Sequence, residues 1–218
     1  HSLPPVYVLR LYRAWGESDA CGALIVPAFY GPHSARRMGR MAIHLSEYSE
    51  SWVGDFMGIA TALVDALDGH GGQGIEHIGA TSVPGMVARP MIDIAVIAAP
   101  LALDEACEAL GPLGYVAGGQ NQEGEDYRKL NTPTSGALHS LTVFDEESPL
   151  LHASIAARQV LMNSPELVAE FSGYKRGLAF TGAIGVEEYR TAKAPMFQKI
   201  LREAGMDEDA LAALTVSF

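Results

Sequence analysis

Cysteine is scarce in this chain of 218 residues, with Cys21 and Cys107 the two present. Two isolated cysteines without metal-ligand spacing argue against a disulfide framework or a zinc site and suit a reducing, cytoplasmic setting. Long apolar runs are missing as well, and none reaches the roughly 18–20 residues that a membrane helix needs. Positive charge is in short supply: 15 Lys and Arg face 26 Asp and Glu, for a net charge of −11. A surface so acidic repels phosphate backbones, which argues against general nucleic-acid binding. A G-x-x-x-x-G-K-[ST] loop is absent too, so the chain is not a P-loop kinase.

What remains is 48% hydrophobic and 19% charged, the composition of a folded globular protein of one ordinary domain. Residues 1–42 read differently from the rest. They carry five arginines against Glu17 and Asp19, with Pro4-Pro5, Pro27 and Pro32 and no helical period. They are expected to be an N-terminal extension, non-native or disordered, or else a genuine variable arm.

Ser51–Leu67 has helical periodicity, with Trp52, Phe56, Ile59, Ala60, Leu63 and Leu67 on one face. Two apolar runs, Ile75–Gly79 and Met91–Ala98, read as strands. A helix opening at Pro100 and Asp104 should bury Leu101, Cys107 and Leu110. A short strand begins at Gly114-Tyr115-Val116. Gly118–Asp126 reads as a mobile loop, and Tyr127–Asn131 pairs with Leu138–Phe144 as antiparallel strands. The last third is helical. Ser148-Pro149 and Ser164-Pro165 each set a capping hydroxyl before a proline, starting helices over 149–162 and 165–179. Further helices are expected over 186–204 and 207–214.

The most informative stretch is residues 75–98, IEHIGATSVPGMVARPMIDIAVIA. Alternation on its second strand places Met91, Asp93, Ala95 and Ile97 on one face and Ile92, Ile94, Val96 and Ala98 on the other. Asp93 is therefore a lone charge in an apolar strand and must meet a cation, a metal, backbone donors or water.

HIG-A-TSVPG-MVARP-MIDI resembles the signature of the GrpB family, whose usual form is close to HIGSTSVPGLxxKPxIDIxV. The resemblance continues through Tyr127-Arg128-Lys129, Leu138-His139, Arg158, Ser164-Pro165-Glu166-Leu167, Tyr174-Lys175-Arg176 and Tyr189-xxx-Lys193. It covers residues 43–204 as one domain, leaving 205–218 as a short C-terminal helix and tail. It implies an α+β, nucleotidyltransferase-like fold, a small mixed sheet flanked by helices with a helical C-terminal third. Active members of that superfamily cradle nucleotide phosphates on a Gly-Ser turn and hold divalent cations between two carboxylates spaced two apart on a strand. This chain has Gly79-Ala80 at the turn and Asp93-Ile94-Ala95 on the strand, so the second carboxylate is missing.

The expected site follows from that resemblance. Asp93 and His139 are the candidate catalytic residues, His139 as a base or a neutral donor. Asp93 is also the candidate ligand for Mg2+. Gly79, Thr81, Ser82, Arg89, Arg128, Arg158, Lys175 and Lys193 are the candidate phosphate-binding residues. The implied ligand is a phosphorylated small molecule, a nucleotide above all, and the activity a nucleotidyl transfer. Domains of the family also occur fused to dephospho-CoA kinase, so the alternative is a non-catalytic accessory domain linked to coenzyme A metabolism. Each residue has a structural alternative as well. Asp93 can pair with Arg89 or Arg128. His77 and His139 can be satisfied core histidines, and Thr81 and Ser82 can serve only the turn. Lys175-Arg176 and Lys199-Arg202 can be solvated helix faces.

Overall fold

The computed structural model describes residues 43–118, 126–134, 136–180 and 185–214, with the backbone alone of 8–10 and of 186–187. The loop expected across Gly118–Asp126 lies almost wholly outside the described residues, as does most of the segment read as an extension. Within that segment, β1 (Val8–Arg10) pairs antiparallel with β2 (Gly72–Ile78).

The sheet has the order β1-β2-β3-β6-β5-β4, with β3 spanning Ile92–Ala98, β4 Val116–Ala117, β5 Tyr127–Asn131 and β6 His139–Asp145. β3 runs antiparallel to β2 and parallel to β6, which makes the sheet mixed. The expected antiparallel pairing of β5 with β6 is present, with Lys129 opposite Thr142.

One face of the sheet is closed by α1 (Ser51–Leu67) and α2 (Leu103–Ala109). Here Phe56, Leu63 and Leu67 meet Ile75, Ile92, Ile94, Val96, Leu141 and Val143 in a continuous buried cluster. The apolar face that alternation assigns to β3 is the face packed beneath these helices. α2 starts later than the sequence pattern suggests. Leu101 sits in the preceding turn at φ 67 and is fully exposed, while Ala106 and Leu110 take the buried positions and Cys107 is half-buried.

The other face is covered by α3 (Pro149–Asn163), α4 (Pro165–Phe180) and α5 (Val186–Glu203), with the short α6 (Glu208–Ala213) packed at the end. Both expected caps form: the Ser148 hydroxyl accepts from the Leu151 N–H and the Ser164 hydroxyl from the Leu167 N–H. These helices hold a second core around Met86, Ala157, Phe171, Met196 and Ile200. They stand off from the centre of the sheet, and a cleft opens between them and β3. The fold is α+β, a small mixed sheet flanked by helices with a helical last third.

Candidate functional site

The cleft has a volume of about 730 Å3 and is lined by the signature loop, the outward faces of β3, β5 and β6, and helices α3–α5. Its floor follows from strand alternation. Asp93 on β3 and Ser140 on β6 are register partners and face it together, and the Ser140 hydroxyl donates to Asp93 Oδ1 at 2.6 Å. Tyr127 and Lys129 on β5 and Thr142 and Phe144 on β6 point the same way.

The loop between β2 and β3 begins at Gly79, with φ 72 and ψ −169, backbone that only glycine adopts without strain. A Cβ at Gly79 would lie 2.4 Å from Asp93 Oδ2, so the glycine also makes room for the carboxylate. Beyond it the loop is fastened on all sides. The Ser82 hydroxyl donates to the Gly79 carbonyl at 2.6 Å, and the Thr81 hydroxyl donates to the Met91 carbonyl while accepting from His77 Nε2. His77 is buried and stacked on Phe56, and burial, reinforced by the nearby Arg158 charge, lowers its pKa to about 4, so it is neutral at pH 7. At the far end, the Ser172 hydroxyl accepts from the Val87 N–H and Lys175 Nζ donates to the Val87 carbonyl at 2.9 Å. Ser46 bridges Ala88 with two backbone hydrogen bonds.

Cations dominate the lining. Among the described residues, Arg89, Lys129, Arg158, Lys175, Arg190 and Lys193 share the lining with a single carboxylate, Asp93. Arg158 is already committed, paired with the buried Glu76 at 2.7 Å and donating to the His77 carbonyl. Lys175 is 3% exposed, and burial, with the Lys193 charge second, pulls its pKa down to about 7. Burial likewise lowers Lys193 to about 8, opposed by the attraction of Asp93. Lys193 lies 5.0 Å from the centroid of the Tyr189 ring, one helical turn earlier on α5. Among the described residues, Arg89 and Lys193 make no side-chain hydrogen bond or ion pair.

Of the candidate residues, Gly79, Thr81, Arg89, Asp93, Arg158, Lys175 and Lys193 come together around this cleft. Ser82, Arg128 and His139 do not line it. Arg128 and His139 sit on the opposite face of the sheet, one position out of phase with Lys129 and Ser140. Arg128 reaches Asp104 at 3.2 Å, and His139 donates from Nδ1 to the Ala137 carbonyl while Nε2 accepts from the Tyr115 hydroxyl. Lys175 is not on a solvated face, whereas Arg176, Lys199 and Arg202 are, each paired with a surface glutamate. Glu76, Lys129, Ser140, Thr142 and Arg190 were missed at the sequence level. Only the neighbours of Arg128 and His139 carried a usable signal, since alternation forces one of each adjacent pair to the cleft.

A protein-held magnesium ion does not fit these residues. Among the described residues that line the cleft, Asp93 is the one carboxylate, Ala95 stands two positions on, and the partners across the register are Ser140 and Thr142. One oxygen of Asp93 takes the Ser140 hydrogen bond, the other abuts Gly79, and the surrounding groups are ammonium and guanidinium. Among the described residues, no cluster of three His, Cys, Asp or Glu side chains can hold a metal ion. No helix among them is long and apolar enough to cross a membrane.

The signature loop joins β2 to β3, and with β6 parallel beyond it the mixed sheet floors a cleft lined largely by cations. The GrpB protein family matches residues 42–203, and the chain belongs to that family. UPF0157 protein SCO7215 of Streptomyces coelicolor is 28% identical over 166 residues, 76% of this chain and 86% of that protein. UPF0157 protein BH1888 of Halalkalibacterium halodurans is 28% identical over 175 residues, covering 79% and 85% respectively. The crystal structure of the conserved protein GrpB from Enterococcus faecalis superposes at a TM-score of 0.65 with 26% identity, covering 74% of this chain and 96% of that one.

Proposed function

We propose that this GrpB-family protein binds a phosphorylated small molecule, a nucleotide being the leading class, in the cleft between the sheet and α3–α5. One observation carries the reading: among the described residues, six cations and one carboxylate line a single cleft in a protein of net charge −11. Crowding the buried Lys175 and the half-buried Arg89, Arg190 and Lys193 into one cleft is unfavourable in the free protein and becomes favourable when an anion enters. Arg89 offers a planar fork and Lys193 a compact point charge, a pairing suited to phosphate oxygens. The apolar part of the lining, with Tyr127, Phe144, Leu150 and Phe197, suits the rest of a ligand larger than phosphate. Binding rather than nucleotidyl transfer is proposed because Asp93 has no second carboxylate beside it for a two-metal step.

A thermal-shift panel of nucleoside triphosphates, coenzyme A precursors and inorganic phosphate tests this. Stabilisation by at least one phosphorylated compound, lost in Arg89→Met, is expected. Equal and negligible shifts for every compound in both proteins would remove the proposal. A selective response to coenzyme A precursors would favour the accessory role in coenzyme A metabolism.

A further inference from the structure

We infer that Lys193 serves in this cleft as the counter-cation that a divalent ion supplies in a carboxylate-lined one, so that the ligand is taken up free of metal. The inference rests on the phosphate-binding reading above and concerns how charge is balanced within that site.

A phosphate and Asp93 cannot share one cleft without a cation between them, because two desolvated anions repel strongly. The usual solution is a metal held by paired carboxylates, and among the described residues this cleft offers Asp93 alone. Asp93 is held in place from both sides, by the Ser140 hydroxyl on Oδ1 and by Gly79 against Oδ2. Lys193 and Asp93 line the same cleft, from α5 and β3, and the attraction of Asp93 opposes the lowering of the lysine pKa by burial. Yet Lys193 makes no ion pair or hydrogen bond among the described residues, so its ammonium donors are uncommitted. The groups around it are Asp93 from β3, Arg89 from the loop, Arg190 and Tyr189 from α5, and Lys175 from α4. Three of these five carry positive charge and one is a carboxylate, which disfavours a divalent ion and favours an anion. The phosphate oxygens are therefore expected between Arg89 and Lys193, with the ammonium screening them from Asp93.

Calorimetric titration of the full chain with pyrophosphate, once in EDTA and once in magnesium, tests this in the wild type, Lys193→Met and Lys193→Arg. The wild type should bind in EDTA, and magnesium should weaken binding by chelating pyrophosphate in solution. Lys193→Met should lose about tenfold or more in EDTA, a change of about 1.4 kcal/mol. Magnesium should then strengthen its binding, because an ion carried on the pyrophosphate can offset the Asp93 charge in place of the missing ammonium without being held by the protein. Lys193→Arg should retain most of the affinity, and a thermal melt confirms that each variant folds. Wild-type binding that appears only with magnesium, with Lys193→Met indistinguishable from it, overturns the inference and leaves the phosphate-binding reading standing. Failure of the wild type to bind pyrophosphate and ATP under either condition overturns both.

Discussion

Asp93 and Gly79 show how tightly this site is specified at the level of single residues. Gly79 has φ 72, and the space for its Cβ is filled by the Asp93 carboxylate. Gly79→Ala adds backbone strain to a steric clash and should destabilise the fold by about 2 kcal/mol while displacing Asp93. Urea denaturation against the wild type measures this, and an unchanged midpoint would contradict it. The Glu76–Arg158 pair is the second such point. Both side chains are buried, and removing the carboxylate leaves a guanidinium desolvated in the core. Glu76→Ala should therefore cost about 3 kcal/mol or more, whereas replacing both partners with methionine should cost less. A double-mutant cycle reads the difference.

At the scale of elements, the signature loop is held by α4 rather than by its own turn alone. Val87 gives its N–H to Ser172 and its carbonyl to Lys175, so both polar groups of one residue are anchored on one helix. Ser172→Ala should leave the buried Val87 N–H unsatisfied, destabilising by about 1–2 kcal/mol. It should also speed amide exchange in the loop selectively, which hydrogen exchange can resolve from a global effect. The elements themselves were largely legible in the sequence, because α1 shows a helical period and α3 and α4 announce themselves by Ser-Pro caps. The faces of β5 and β6 were not. Tyr127-Arg128-Lys129-Leu130-Asn131 alternates without a clean apolar side, so only the register with β6 decides that Lys129 and not Arg128 meets the cleft. His139 was misleading for a related reason. It is the conspicuous residue of its strand, but the adjacent Ser140 is the one opposite Asp93. Glu76 gave no signal at all, since its partner Arg158 lies on a helix far along the chain.

For the whole molecule, the buried Lys175 and the half-buried Lys193 tie stability and binding to pH in opposite senses. Lys175 and Lys193 fall to about 7 and about 8 from 10.5, so in this range the unfolded chain holds protons that the native one has shed. Stability therefore rises with pH from about 7 towards 10.5 through these two groups. His77, lowered from 6.5 to about 4, acts in the same sense over that lower window. Anion affinity should instead decline above pH 8 as the two lysines lose charge. Urea midpoints and pyrophosphate affinities measured across pH 6–10 should thus move in opposite directions, and parallel changes would contradict the assignment. The same conflict predicts that Lys193→Met raises stability at pH 7 by about 1 kcal/mol while weakening binding.

The most direct measurement is a crystal structure of the protein grown with pyrophosphate or soaked with tungstate. Density for the anion between Arg89 on the signature loop and Lys193 on α5, above Asp93, is the predicted result. An empty cleft, with the anion instead at Arg128 on the other face of the sheet or at the surface cations Arg176 and Arg202, would contradict the account.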